Sequence, residues 1–350
     1  MKAVIIGTVL ALGVGFGAEA AEDCTPSGGL NYICNVKAAE DLVAVPKTNY
    51  LIASAMAAGG GINLVDTRAK KVTNLFPGSG VVARHDKAKF GACPGVPDPA
   101  LVVLHGVSLR PAAGGHFTLY GVNHGGRESI EVFDVEMAGG MPKLAWIGCI
   151  VMPAGMAANS VAAWKDGTVL ATVPSMPGVT PEDRKAGKPT GVVVQWTPGS
   201  AGFTPIPGTE LRGNNGIDTS PSDDEFFVVA YTDRKIVAFA RKDTSKPLRE
   251  AQLTGFAPDN VRWTDDGRTF TAGMADPDAS CGAVQGTPEY QKCPRGYVAV
   301  AVDPKTMIVT ELARGPATLQ FSGATMVVQM GGELWIGTYN NDKLAYRPVK

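Results

Sequence analysis

The sequence predicts an all-β protein, namely a six-bladed β-propeller with four-stranded blades. Short runs of β-branched and aromatic residues alternate with turn-forming residues along the chain. With 43 glycines and 25 prolines, few stretches have the periodicity of a long helix. In addition, one pattern of strands recurs six times, and strand-rich repeats of this length are typical of propellers.

The repeated unit begins with polar or small residues that lead into an apolar strand, and a second strand follows after a turn. Successive units begin 44 to 65 residues apart. Their first residues are Glu40, His105, Asn159, Asn215, Asp259 and Ser322. A β-sandwich does not explain this spacing, whereas a ring of blades buries both faces of each sheet and protects its edges. We expect the strand at residues 343–346 and the segment before Glu40 to close the ring.

The first 20 residues have the features of a signal peptide. Lys2 precedes an apolar run from Val4 to Phe16, and Ala18-Glu19-Ala20 fits the small-residue pattern of a cleavage site. The run is shorter than the roughly 20 residues that span a bilayer; a retained anchor or a buried N-terminal strand is the alternative. The expected organisation is a signal peptide at residues 1–20 and a single propeller domain at residues 21–350. We expect a periplasmic or secreted protein without an integral membrane segment in the mature chain.

The charge balance excludes partners held by bulk electrostatics. Charged residues make up 19% of the chain, and its formal net charge is −1. Nucleic acid is therefore not an expected partner. No Cys or Cys/His spacing fits a zinc site either.

An even number of cysteines in an exported chain predicts disulfide bonds. Proximity in sequence favours Cys24–Cys34 and Cys281–Cys293, which leaves Cys93 and Cys149 as the third pair. Six cysteines allow other pairings as well.

The polar residues at the start of the repeats form the candidate site. The first strand of each blade lines the channel of a propeller, so these residues are expected to meet there. Carboxylate and amide oxygens suit Ca²⁺, whereas zinc or copper would favour imidazole or thiolate. The predicted calcium ligands are Glu40, Asn159, Asn215, Asp259 and Asn260, and His105 has the equivalent position in its own repeat.

Each of these residues also has a purely structural interpretation. Asn215-Gly216 is typical of a tight turn, and Asp259-Asn260 is compatible with a polar loop. Glu40-Asp41 could be a solvated strand entrance, and His105 a hydrogen-bonded core histidine. The functional interpretation rests on their occurrence at the same position of successive repeats.

An ordered set of segments gives the chain a resemblance to a known family. These segments are Glu40-Asp41-Leu42, His105-Gly106-Val107-Ser108, residues 120–124 leading into 131–133, Asn215-Gly216-Ile217, Asp259-Asn260-Val261 and residues 334–338. In these segments the chain resembles the paraoxonase/arylesterase family, within the wider gluconolactonase and regucalcin-like group of calcium-dependent propellers.

The resemblance implies two calcium ions in the channel. The five predicted ligands match the positions that hold the catalytic calcium, and His105 and His124 match a histidine pair linked to hydrolysis. Asp41 and the Val107 carbonyl match ligands of a buried structural calcium. However, Ser160 stands where the family has a second aspartate, and this loss of a carboxylate weakens or removes the second calcium site.

The leading hypothesis is a calcium-dependent hydrolase of lactones or carboxylic (aryl) esters, in which His105 and His124 assist the attack of water on the carbonyl. The expected partner is a small-molecule lactone or ester substrate. One alternative is phosphotriesterase-like hydrolysis with Asp259 as the nucleophile. Another is a calcium-stabilised binding propeller without catalytic activity.

Overall fold

Six antiparallel sheets of four strands each form a six-bladed β-propeller. The computed structural model describes residues 23–78, 80–282 and 288–349. The expected signal peptide at residues 1–20 lies outside the described residues. The strands, in chain order, are β1 (Asn31–Cys34), β2 (Leu42–Ala44), β3 (Tyr50–Ala55), β4 (Gly61–Asp66), β5 (Lys71–Phe76), β6 (Leu104–Pro111), β7 (Phe117–Asn123), β8 (Ser129–Ala138), β9 (Met141–Val151), β10 (Val161–Ala163), β11 (Val169–Val173), β12 (Val192–Trp196), β13 (Thr204–Pro205), β14 (Asn214–Thr219), β15 (Glu225–Ala230), β16 (Lys235–Ala240), β17 (Arg249–Gln252), β18 (Phe256–Trp263), β19 (Thr269–Ala275), β20 (Tyr297–Val302), β21 (Val309–Gly315), β22 (Ala324–Met330), β23 (Glu333–Thr338) and β24 (Lys343–Pro348).

The blades follow the chain in order. Blades 1 to 5 consist of β2–β5, β6–β9, β10–β13, β14–β17 and β18–β21, and each strand pairs with the next. The first strands of neighbouring blades contact one another in a closed ring, so they line the central channel. The six-bladed fold that the sequence predicts is therefore confirmed.

Blade 6 contains both ends of the fold. Its strands β22, β23 and β24 come from the C-terminal part, and β1 adds the outermost strand. Tyr32 pairs with Ala345 and Ile33 with Leu344 in antiparallel register. The expected closure of the ring by these two segments is confirmed. Pairing the last strand removes a free edge that would otherwise be left at the junction of the ring.

Burial explains the composition of the middle strands of the blades. β20 reads YVAVAV and is buried at every position, because neighbouring blades cover both faces of the sheet. Such strands show no polar–apolar alternation. The outer strand β5 reads KVTNLF and is mostly exposed.

The two loop insertions that the sequence suggests each carry short helices. Residues 177–189 connect β11 to β12 and contain α1 (Pro181–Lys185), which begins with a capping box between Thr180 and Asp183. Residues 276–294 connect β19 to β20 and contain a 3₁₀ turn (Ala279–Cys281) and α2 (Pro288–Lys292). Among the described residues, none of the helices combines the length and the apolar character needed to cross a bilayer.

Three disulfide bonds join Cys24 to Cys34, Cys93 to Cys149 and Cys281 to Cys293. The pairing that sequence proximity favours is confirmed. Disulfides of this number are typical of proteins that fold in an oxidising compartment.

Bulges in the first strands place the polar residues of the channel. The pairing register shifts after Leu104 in β6, after Asn214 in β14 and after Pro258 in β18. At each shift two residues face one on the neighbouring strand, which bends the strand and redirects its side chains. The bulged pairs are His105-Gly106, Asn215-Gly216 and Asp259-Asn260. Asn215-Gly216 is thus part of a bulged strand rather than a hairpin turn.

Two of the bulges require glycine because neighbouring blades approach closely. A Cβ on Gly106 would lie 2.6 Å from the Cα of Ser160 in blade 3, and one on Gly216 would lie 2.6 Å from the Cα of Asn260 in blade 5. Distances below 3 Å between these atoms force the backbone to move. Gly106 and Gly216 therefore set the spacing of the blades around the candidate site.

We predict that Gly106→Ala lowers the free energy of unfolding by about 1–3 kcal/mol, the usual penalty of overpacking. Gly121→Ala in β7 of the same blade is the matched control, because its Cβ would lie 3.5 Å from the Leu104 side chain, an ordinary contact. Urea unfolding of both variants measures the difference. Equal stabilities would contradict the close approach of blades 2 and 3.

Candidate metal and catalytic site

The channel brings residues from four blades into one chain of contacts. Asn260 Nδ2 donates a hydrogen bond to Glu40 Oε1 over 2.7 Å. The same Glu40 oxygen lies 3.5 Å from His105 Nε2, and Asn159 Nδ2 lies 3.5 Å from that imidazole nitrogen. Two of the five predicted ligands, Glu40 and Asn159, thus lie beside His105 Nε2, and Asn260 is linked to them through Glu40.

The remaining two predicted ligands are paired with each other. The side chain of Asn215 forms a hydrogen bond with the Asp259 carboxylate, which also interacts electrostatically with Glu40 and His105. All five predicted ligand residues therefore lie at the same part of the channel. Their positions follow from the bulges of β14 and β18 and from the segments that lead into β2 and β10.

Four oxygen atoms in this group are buried without a hydrogen-bond donor among the described residues. They belong to the predicted ligands and are Glu40 Oε2, Asn159 Oδ1, Asn215 Oδ1 and Asn260 Oδ1. Buried polar atoms without a partner are rare and indicate water or an ion. Here every unpaired atom of the predicted ligands is an oxygen, and each lies on one of the first two residues of a repeat.

The chemistry of these donors fits calcium. Carboxylate and amide oxygens are hard ligands, and calcium accepts them in irregular geometry. No group of three or more His, Cys, Asp or Glu side chains in the described part of the chain could hold a metal ion by itself. The amides of three asparagines are therefore essential to any metal site here, which argues against zinc.

The electrostatics of Asp259 also favour a cation. Burial raises the pKa of Asp259 well above its ordinary value, and the nearby Glu40 carboxylate raises it further. A divalent cation beside these two groups would stabilise their ionised forms and displace the proton from Asp259.

The histidine pair is part of a longer relay. His105 Nδ1 lies 3.0 Å from His124 Nε2, and His124 Nδ1 lies 2.8 Å from Glu128 Oε2. Because the carboxylate of Glu128 accepts a hydrogen bond from His124 Nδ1–H, His124 Nε2 is unprotonated and accepts a hydrogen bond from His105 Nδ1–H. In this tautomer His105 Nε2 carries a lone pair, which accepts a long hydrogen bond from Asn159 Nδ2 and lies near Glu40.

Glu128 is not among the site residues predicted from the sequence. It lies in the turn between β7 and β8, four residues after His124 and outside the repeated openings. The signal that could have indicated it is the spacing, since a tight turn after His124 can bring a carboxylate back to its ring. That turn is not repeated in other blades, so the repeat pattern does not reveal it.

Burial and nearby carboxylates have opposite effects on the pKa of His105. Burial lowers the pKa of its imidazole, but the carboxylates of Glu40, Asp259 and Asp41 outweigh that effect, and the pKa lies above its ordinary value. In the metal-free protein His105 is therefore more readily protonated than an exposed histidine. A cation among the carboxylates would reverse this effect and restore the neutral base.

Asp41 and Val107, the residues expected to hold a second calcium, have another partner. The buried guanidinium of Arg262 donates to Asp41 Oδ2 and to the Val107 carbonyl. Burial raises the pKa of Asp41 to about 7, and the charge of Arg262 is the largest of the influences that oppose this rise. Sequence reasoning did not single out Arg262, because nothing in its local pattern shows that its side chain reaches three other blades.

A cavity of about 510 Å³ lies beyond Arg262, at the end toward which the first strands run. It is lined by Arg262, Ser108, Arg110 and Asp218, among other residues, and by the turn after β2. None of the five predicted calcium ligands lines it, so Arg262 stands between this cavity and the candidate site.

The structure is similar to those of known propellers, whereas the sequence comparisons find no match. No protein-family model matches the chain, and no curated protein matches its sequence. A luciferin-regenerating enzyme has a similar structure, with a TM-score of 0.52, 13% identity, and coverage of 91% of this chain and 93% of that one.

Two further solved structures share the architecture. A glucose dehydrogenase matches with a TM-score of 0.51 and 14% identity over 93% of this chain and 100% of the other. A protein described as a gluconolactonase matches with a TM-score of 0.50 and 14% identity over 93% and 95% of the two chains. At these identities the likeness establishes the fold, and function has to be argued from the site.

We predict that the metal-free protein loses stability as the pH rises from about 6 to 8. The pKa values of His105 and Asp259 are raised in the folded protein, so the folded state binds more protons than the unfolded chain. The free energy of unfolding then falls as the pH passes through the raised values. Calcium should remove most of this slope by taking over the role of the protons.

Thermal melts at both pH values, in EGTA and in calcium, measure this effect. Asp259→Asn is the control, since it removes one of the titrating groups and should flatten the slope in EGTA. A metal-free protein that becomes more stable over this range would contradict the assignment.

Proposed function

We propose that the protein is a calcium-dependent hydrolase of lactones or carboxylic esters, including aryl esters. The observation that carries this proposal is the juxtaposition of a histidine base with the unpaired ligand oxygens. His105 Nε2 faces Glu40 and Asn159, and its other nitrogen is held by His124.

The unpaired oxygens of Glu40, Asn159, Asn215 and Asn260, together with Asp259, would hold the calcium ion. When bound there, calcium supplies Lewis acidity that polarises an ester carbonyl and stabilises negative charge on its oxygen. The Asn260 amide nitrogen donates a hydrogen bond to the Glu40 carboxylate, which fixes the orientation of the amide. The amide oxygen of Asn260 has no hydrogen-bond donor among the described residues and is available as a ligand.

His105 would act as the general base. Its Nε2 accepts a proton from the water that attacks the carbonyl carbon, and the resulting positive charge is stabilised by Glu40 at 3.5 Å. His124 accepts the hydrogen bond from His105 Nδ1, which fixes the ring and its tautomer. Glu128 in turn holds His124, in the manner of an orienting carboxylate.

The fold neighbours support this proposal at a coarse level. One is described as a gluconolactonase, which is consistent with a lactone substrate. The resemblance to the paraoxonase/arylesterase family favours the same chemistry and extends it to aryl esters. Three disulfides fit an exported enzyme, and we propose a periplasmic or secreted location.

We predict that His105→Gln lowers kcat/KM for phenyl acetate and for γ- and δ-lactones by about 10²–10⁴-fold, the usual contribution of a general base. His116→Gln is the matched control: His116 lies in the same blade and also pairs with a carboxylate, Asp134, at 2.9 Å, but outside the channel. Glu128→Gln should give an intermediate loss, since it leaves His105 in place but weakens its support.

The same assays test the metal and the alternatives. EGTA should abolish turnover, and Asn260→Ala should raise the calcium concentration needed for activity. Unchanged turnover in both His105→Gln and Asn260→Ala would rule out the proposed mechanism. Oxygen-18 found in Asp259 after a single turnover would instead indicate attack by that carboxylate. Calcium stabilisation without turnover of any ester or lactone would indicate a binding propeller.

A further inference from the structure

Arg262 occupies a second polar position in the channel, further along the axis than the candidate site. It follows Asn260 by two residues in β18, so both side chains point to the same side of the strand. Val107, Ile217 and Val261 are equivalent positions, since each is the first residue after the bulge of its strand. The bulges and the residues that follow them therefore form two successive layers, and Asn260 and Arg262 are separated by about 7 Å along the strand.

The guanidinium is bonded on several sides within this inner layer. Its Nη2 donates to Asp41 Oδ2 in blade 1 and to the Val107 carbonyl in blade 2. Its Nη1 donates to the Ile217 carbonyl of blade 4 over 2.9 Å and to the carbonyl of the preceding residue, Val261, over 2.8 Å. Three carbonyl oxygens and one carboxylate oxygen thus converge on a cation, as they would on a hard metal ion.

The charges of the inner layer fit a single positive charge. Asp41 is fully buried, and Arg262 is 6% exposed, so each needs the other as a counter-ion. Ser160 is also buried, and its Oγ lies against Gly106, next to Val107. Because this position carries a hydroxyl rather than a carboxylate, one acidic side chain remains to balance the guanidinium.

We propose that the guanidinium of Arg262 takes the place of a second metal ion. Asp41 and the Val107 carbonyl, which the family resemblance assigns to a structural calcium, do not fit a metal ion here, because Arg262 already uses both. The channel then holds one exchangeable divalent ion in the outer layer and one permanent organic cation in the inner layer. The proposal concerns the inner layer and does not depend on the hydrolase activity.

A practical consequence is that chelators cannot extract the inner cation. Arg262 links blades 1, 2, 4 and 5 through hydrogen bonds, and its guanidinium is covalently part of the chain. A bound metal ion, by contrast, can be removed. The protein should therefore remain folded in EGTA, with only the outer layer loosened.

The test is the number of calcium ions bound per chain, measured by equilibrium dialysis followed by elemental analysis. We expect one in the full-length protein and, at a calcium concentration that just saturates the unmodified protein, none in Asn260→Ala, which alters only the outer layer. Two ions in the unmodified protein, or one retained in Asn260→Ala, would overturn the proposal. No ion in either would contradict the proposed calcium site of the hydrolase while agreeing with an inner layer filled by Arg262.

Thermal melts provide an independent measurement. Arg262→Met should lower Tm by more than EGTA lowers that of the unmodified protein, or prevent folding, because Asp41 loses its buried counter-ion. Arg268→Met is the control: Arg268 lies in the same blade but forms an exposed ion pair with Asp266. An Arg262→Met variant that melts like this control would show that the guanidinium is not the cation holding the inner layer.

Discussion

Polar groups buried around the channel axis must be paired, and this constraint governs the whole interior of the propeller. The first strands of six blades converge there, and each brings backbone and side-chain polar groups away from bulk water. Hydrogen bonds satisfy many of them, but four oxygens of Glu40, Asn159, Asn215 and Asn260 lack donors among the described residues. Leaving such atoms unpaired is costly, so water or an ion is expected beside them.

The two layers of the channel meet the constraint in different ways. In the inner layer Arg262 provides both a positive charge and hydrogen-bond donors for Asp41 and Val107, while Arg262 Nε and Ser160 Oγ have no hydrogen-bond partner among the described residues. The outer layer combines Glu40 and Asp259 with asparagine amides, and within the part of the chain that the structure describes a protonated His105 is its source of positive charge. A layer that contains a buried ion pair thus lies next to a layer with unpaired ligand oxygens and a titratable histidine.

The fold neighbours illustrate why the blades alone do not determine the reaction. Solved propellers with nearly the same coverage include a luciferin-regenerating enzyme, a glucose dehydrogenase and a protein described as a gluconolactonase. The blades supply a rigid ring, and the chemistry depends on the few side chains that project from the bulges of the first strands. In this chain His105 is one of these side chains, and the proposed hydrolysis depends on its relay through His124 to Glu128.

The sequence by itself determined the number of blades, the closure of the ring, the disulfide pairs and the group of residues at the start of each repeat. It could do so because strand repeats and turn chemistry are local, and because equivalent positions in a ring must meet at its axis. Only the tertiary structure decided the partner of each side chain. Arg262 and Glu128 do not occur at equivalent positions of other repeats, and their roles arise from contacts across blades or across a turn. Such contacts depend on the direction of individual side chains, which the repeat pattern does not encode.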